Sequence, residues 1–304
     1  VADLLPKASE EIAEWDRAVH AFLAEKKRRS GSHRTVQSYS RMLRDCFRRT
    51  GKPPDRITAQ DVFVWAHGIG SSGREPSANT INSRISCLSS FFRFAIRMGL
   101  LTTANPCDAL ERPKIQPAVP RGLSPEQAQR LLNAIPNTVE GRRDRAILLT
   151  FLLTGRRRSE VMRLTAGDIS LEGEVPYYRY RGKGGKRGRR ELPRPAFEAI
   201  VRMLADRSTT LEALPADEGL WRVSESAFYT RFRGYLAEAG LPPSGLHVLR
   251  HTAAKLRRDA GQSVEEVSSF LDHSSLAVTT VYLRRLEGSR DEAWSKVAEA
   301  IGAN

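Results

Sequence analysis

The sequence predicts a mainly α-helical chain of two units, an N-terminal four-helix domain and a C-terminal mixed α+β domain carrying one small β-hairpin. Three observations lead there. Apolar residues recur at helical spacing through most of the first hundred positions and again beyond 123. Residues 105–120, NPCDALERPKIQPAVP, hold four prolines and no apolar period, the composition of a semi-rigid connection. Only 174–193 has pronounced β character. The expected division is 1–108, a linker over 109–120, and 121–304.

In the first unit, Ile12, Trp15, Val19 and Phe22 mark a helix over 9–24, and the basic run 26–34 with Gly31 reads as an exposed turn. Val36, Tyr39, Leu43 and Phe47 mark a second helix over 35–49, which GKPPD ends. Thr58 and Asp61 have capping-box spacing and open a short third helix. Beyond the Gly- and Ser-rich loop 68–77, a long fourth helix carries Ile81, Ile85, Leu88, Phe92 and Ile96 and stops at Gly99. These stripes are core and carry no chemistry.

In the second unit, Ser124, Pro125 and Gln127 are the N-cap, N1 and N3 residues of a strong helix start. A buried helix over 142–153 ends at Thr154-Gly155, and RRRSEVMRL (156–164) follows as a short helix with three arginines in its first turn. Cations are misplaced at a helix N-terminus unless an anion is present, although Arg157 could also pair with Glu160. Tyr177, Tyr178 and Tyr180 favour strand and Gly182 to Gly185 supply a turn, which gives a hairpin with Lys183 near its tip. Helices are expected at 195–206 and 224–239, then two amphipathic helices and a short third within 246–283, and finally one over 290–302 behind a Ser289/Glu292 capping pair. On 246–260, Leu249, Ala253, Leu256 and Ala260 should form the packed face, with His247, Arg250 and His251 opposite.

Composition narrows the function. Lys and Arg number 49 against 35 Asp and Glu, a net charge of +14 in 304 residues, which points to a polyanionic partner such as nucleic acid. Six of the ten residues 181–190 are basic, a density that repels itself unless a phosphate backbone neutralises it. Cys46, Cys87 and Cys107 are scattered and odd in number, so they form neither a zinc set nor a disulfide framework, and they fit a reducing cytosol. The sequence has no apolar run of membrane-spanning length.

Arg, His, Lys and Tyr without an acidic cluster suggest metal-independent transesterification at a phosphodiester. Arg157 and Arg250 can clamp the non-bridging oxygens, and Lys183 can protonate the leaving 5′-oxygen, with Lys186 as a rival one short turn away. His247 can take the proton of a nucleophilic Tyr282, and His273 can hydrogen-bond the phosphate.

The joint pattern resembles the phage-integrase family of tyrosine recombinases over nearly the whole chain. TGRRRSE (154–160) resembles its first arginine motif, RGKGGK (181–186) its lysine hairpin, and HVLRHT (247–252) its HxxRH motif. LDHSSLAVTTVY (271–282) resembles the run that ends at the nucleophile, and TINSRISCLSSFFRFAIRMGLL (80–101) the end of a SAM-like core-binding domain. The resemblance implies a site-specific recombinase of the two-domain form, without a cofactor or metal and without a further DNA-binding domain ahead of residue 9. It makes Arg157, Lys183, His247, Arg250, His273 and Tyr282 catalytic through a 3′-phosphotyrosine, with Glu160 and His251 supporting them. Arg34, Arg156, Arg181, Lys186, Arg187 and Arg189 become expected DNA contacts. It further implies a tetramer on duplex DNA in the cytoplasm with the nucleoid, open to accessory DNA-bending proteins. A type IB topoisomerase-like enzyme and a non-catalytic DNA-binding protein of the same fold are the alternatives. Arg156 and Asp272 depart from the family pattern, which has an apolar residue and a glycine there.

Overall fold

The computed structural model describes residues 10–70, 73–115, 122–182 and 187–272. Lys183, Lys186, His273, Tyr282 and the helix expected over 290–302 lie outside the described residues. The chain divides into two units, 1–116 and 117–304.

The first unit is built on four helices: α1 (Glu10–Ser30), α2 (His33–Thr50), α3 (Ala59–His67) and α4 (Ala78–Arg97). α1 runs through the segment expected as a turn, because Lys27, Arg28 and Arg29 fall in its last turn, where cations meet the negative end of the helix dipole. Gly31, at φ +61°, ends it, and the Ser32 hydroxyl caps α2 by accepting from the Thr35 amide at 3.3 Å. The Thr58/Asp61 capping box is present. Trp15, Val19, Phe22, Leu43, Phe47, Ile85, Leu88 and Phe92 are buried in one core, as their spacing predicts, whereas Ile96 is exposed. Pro106–Ala109 form a 3-10 turn that buries Cys107 in this core, so the proline-rich stretch begins as folded structure. Asn82 Nδ2 then donates to the Pro113 carbonyl at 2.9 Å.

The second unit begins with α5 (Pro125–Asn133), α6 (Val139–Thr154) and α7 (Arg158–Val161). An antiparallel sheet follows in the order β1-β2-β3: β1 (Ile169–Glu172), β2 (Val175–Arg181) and β3 (Arg187–Glu191). The hairpin is therefore two strands of three. β1 is only four residues long and too short to show alternation. The helices α8 (Arg194–Ala205), α9 (Glu225–Glu238), α10 (His247–Asp259) and α11 (Val264–Phe270) complete the described part.

α6 is the central pillar and packs on α8 and α10. Ala146, Ile147, Leu148 and Phe151 are fully buried on it, the three large ones contributing about 1.5–3 kcal/mol each. Buried Asp144 accepts from Tyr235 Oη at 2.8 Å and from both donor sides of Arg231, tying α9 to α6. The Trp221 indole donates to the Val161 carbonyl at 2.7 Å and holds the end of α7. α10 differs from expectation. Leu249 and Ala253 are buried, but Ala260 is exposed, and Arg250 points inward, only 2% exposed. Among the described residues no helix is long and apolar enough to cross a membrane.

Candidate active site

The site forms where the C-terminal ends of α6 and α11 meet the start of α10. Gly155 closes α6 in the left-handed region at φ +61°. A Cβ there would come within 2.7 Å of the Phe270 ring and 2.9 Å of Leu271, so only glycine fits both the backbone and the approach of α11. The turn sends the next two side chains to different places.

Arg157 stays partly exposed. Its Nη1 donates to Glu160 Oε1 at 2.9 Å, and its amide donates to Glu160 Oε2 at 3.0 Å. Its Nη2 reaches the Asp272 carbonyl at 3.4 Å. Glu160 is buried and thus aims the guanidinium while capping α7.

Arg250 enters from α10. Its Nη1 donates to the Gly155 carbonyl at 2.7 Å and its Nη2 to the Leu271 carbonyl at 2.6 Å. The two arginines that the motifs nominate as a phosphate clamp are thus held by consecutive carbonyls, those of Leu271 and Asp272.

His247 opens α10 with its ring edge-on to that of His251, centroids 4.8 Å apart. Partial burial first, then the charges of Arg250, Arg157 and Arg158, hold its imidazole below the ordinary value of 6.5. Its neutral form is therefore favoured near pH 7, as a proton acceptor requires. The structure brings Arg157, Glu160, Arg250, His247 and His251 together. His273 follows Asp272 directly in sequence and Tyr282 comes nine residues beyond His273, and Lys183 and Lys186 fall between Arg181 and Arg187.

The expected DNA contacts separate into two groups. Arg181, Arg187 and Arg189 are exposed, and Arg181 pairs with Arg187 and Arg179 with Arg189 across the strands. Like charges directly opposite one another are destabilising unless an anion shares them, and Arg189 already has one in Glu172 on β1. Arg163 and Arg179, which sequence reasoning did not select, join them around an 850 Å³ cleft that Glu160 also lines. The signal was available in the period-2 alternation of the strand, since 179 and 181 share a face. In the first unit Arg34 is exposed beside a 550 Å³ groove lined by Thr35, Ser38, Asn79, Asn82 and Ser83.

Arg156 corrects the expectation that it contacts DNA. It is 1% exposed and enclosed by the ring of Tyr180, 4.4 Å from its centroid, and by the Thr154 and Phe270 carbonyls. It pairs with the Asp272 carboxylate. Asp272 has φ +50°, in the left-handed region that favours the glycine of the family pattern. The same carboxylate accepts from Tyr180 Oη and, at 2.7 Å, from Arg190 Nη2. Burial pushes the Asp272 carboxyl up, but Tyr180, Arg156 and Arg190 outweigh it and hold it below its ordinary range.

The model of the phage integrase family matches residues 121–288, and that of the phage integrase N-terminal SAM-like domain matches 19–99. Tyrosine recombinase XerC of Alcanivorax borkumensis is 30% identical over 275 residues, covering 87% of this chain and 88% of that protein. The fold is similar to XerH site-specific recombinase in its post-cleavage complex with a palindromic difH substrate, with a TM-score of 0.66 at 17% identity over 99% of this chain and 90% of that one. It is also similar to a lambda integrase in a tetramer bound to a Holliday junction, with a TM-score of 0.64 at 19% identity over 87% and 77% of the two chains. The chain belongs to the phage integrase family, the tyrosine recombinases, enzymes of site-specific DNA recombination.

Proposed function

We propose that this recombinase cuts and rejoins DNA strands by two transesterifications through Tyr282. The phenol oxygen attacks a backbone phosphorus, forming a 3′-phosphotyrosine and breaking the bond to the 5′-oxygen. His247 takes the phenol proton and Lys183 delivers one to the leaving oxygen. His273 donates a hydrogen bond to the phosphate. Arg157 and Arg250 clamp its non-bridging oxygens, where negative charge grows in the transition state. Rejoining is the same path reversed with a different 5′-hydroxyl, so the phosphodiester energy is conserved.

One observation carries this reading: two guanidiniums from different segments, Arg157 and Arg250, lie beside a histidine whose proton affinity both of them lower. In the same proposal, Arg163, Arg179, Arg181, Arg187 and Arg189 track the phosphate backbone on the second unit. The unit over 1–108 grips the duplex with Arg34 at its polar groove, and 109–120 links the two. The assembly is a tetramer on two DNA sites, acting on nucleoid DNA in the cytoplasm. A topoisomerase-like role is not favoured, since the sequence relatives are recombinases.

The test is a nicked duplex bearing the recombination site, from which the cleaved strand diffuses away and leaves the covalent adduct trapped. Adduct should form in the presence of a chelator and vanish in Tyr282→Phe. Adduct that survives this substitution, or that requires a divalent ion, would refute the mechanism.

A further inference from the structure

The two residues that depart from the family pattern meet each other. Arg156 is almost completely buried, and its charge is met by Asp272. Taking the Arg156 charge out of water costs free energy that its partner's attraction need not return, so such a pair is weak grounds for stability. Its effect here is geometric. The Asp272 side chain accepts from Arg156, from Arg190 on β3 and from Tyr180 on β2, while Arg190 also donates to the Ser269 carbonyl at 2.7 Å. Gly188, opposite Tyr180, leaves the space that the tyrosine ring fills, since a Cβ there would collide with it. The end of α11 is thereby pinned to the sheet and to the turn after α6.

The main chain of the pinned residues faces the other way. The Leu271 carbonyl accepts from Arg250 at 2.6 Å and the Asp272 carbonyl from Arg157 at 3.4 Å. We propose that Arg156, Asp272, Tyr180 and Arg190 form a charged clasp that sets the positions of both phosphate-clamping arginines, so that Arg156 and Asp272 are positioning residues of the cleavage reaction. The proposal rests on the reading that Arg157 and Arg250 hold the scissile phosphate. The clasp touches no reacting atom. It fixes the two carbonyls against which the guanidiniums are braced, and an error of about 1 Å in such bracing can cost on the order of a hundredfold in rate.

The experiment is a double-mutant cycle with Arg156→Met and Asp272→Gly, read as the single-turnover rate of adduct formation on the nicked duplex at saturating protein. DNA affinity is measured in parallel. Methionine fills the arginine's space without charge, and glycine relieves the positive φ. Each single variant leaves a partner charge behind and should slow cleavage about tenfold or more with DNA affinity unchanged. The double variant should be faster than the product of the two effects by about tenfold, within the range of coupling between residues in contact. Additive effects, or single variants at the wild-type rate, would overturn the clasp. Where a single variant does not fold, Tyr180→Phe replaces it. That change removes one hydrogen bond to the same carboxylate and should slow cleavage severalfold, and an unchanged rate overturns the proposal. Tyr282→Phe in the same assay separates the two levels. If it still forms adduct, the catalytic reading fails. If it does not, and the cycle is additive, the clasp alone fails.

Discussion

Arg250→Lys keeps the positive charge of the site and removes its geometry. The guanidinium spans two carbonyls with two different nitrogens, at 2.7 Å to Gly155 and 2.6 Å to Leu271. A lysine ammonium is one point and cannot hold both while presenting a planar edge to a phosphate. Losing one charge-assisted hydrogen bond costs about 1.5–3 kcal/mol in how firmly the group is held. Losing one aimed donor to the developing charge costs about 2.7–4 kcal/mol in the transition state, or about 100- to 1,000-fold in rate. The assay is single-turnover adduct formation at saturating protein, with fluorescence anisotropy for DNA affinity. Affinity should change by no more than about threefold, because many phosphates outside the site carry it. Cleavage within about threefold of wild type would refute the role of Arg250 as a bidentate clamp. So would a loss of affinity that matches the loss of rate.

Two further outcomes follow from the charges around the site. Since His247 binds its proton less readily when folded, the cleavage rate should rise with pH through an apparent pKa below 6.5 and level off by neutrality. Arg158→Gln removes one of the charges responsible and lies outside the clamp, so it should move that limb upward, and a limb that persists in His247→Gln would belong to another group. On the sheet, Arg181→Ala with Arg187→Ala should reduce the slope of log affinity against log salt by about 1–2 and weaken cognate and unrelated DNA alike. A salt slope that does not change would place these arginines away from the backbone.

Much of the fold was legible because helix periodicity and caps are local. Val19 and Phe22, Leu43 and Phe47, and Ile85 and Leu88 are buried as their spacing demanded. The capping boxes at Thr58 and Ser124 begin helices where expected. The Arg157–Glu160 pair and the anion-attracting role, weighed as alternatives from the sequence, are compatible, since the carboxylate orients the guanidinium. What failed depends on tertiary contact. Arg156 and Arg157 are adjacent and chemically identical, and only the packing of Tyr180 and Phe270 decides which one is buried. Arg190 reads as one more basic hairpin residue, yet strand parity turns it away from Arg187 and Arg189 and onto Asp272.

Burial of Arg250 raises the question of how its charge is tolerated away from water. Gly155 follows the last residue of α6 and Leu271 follows that of α11, so both carbonyls that receive Arg250 stand at helix C-termini. Each such end carries roughly half a negative charge spread over unpaired carbonyls. Two of them supply a favourable field for a cation in a low-dielectric seam, and they do so with dipoles, which carry no net charge of their own. The two carbonyls orient the guanidinium of Arg250 from both sides. The carboxylates nearby do other work: Glu160 pairs directly with Arg157, its Oε1 accepting from Nη1 at 2.9 Å, and the Asp272 side chain is turned towards Arg156, Tyr180 and Arg190. Carboxylates thus position Arg157 and the end of α11, and in the proposed mechanism the Gly155 and Leu271 carbonyls brace Arg250 for the phosphate.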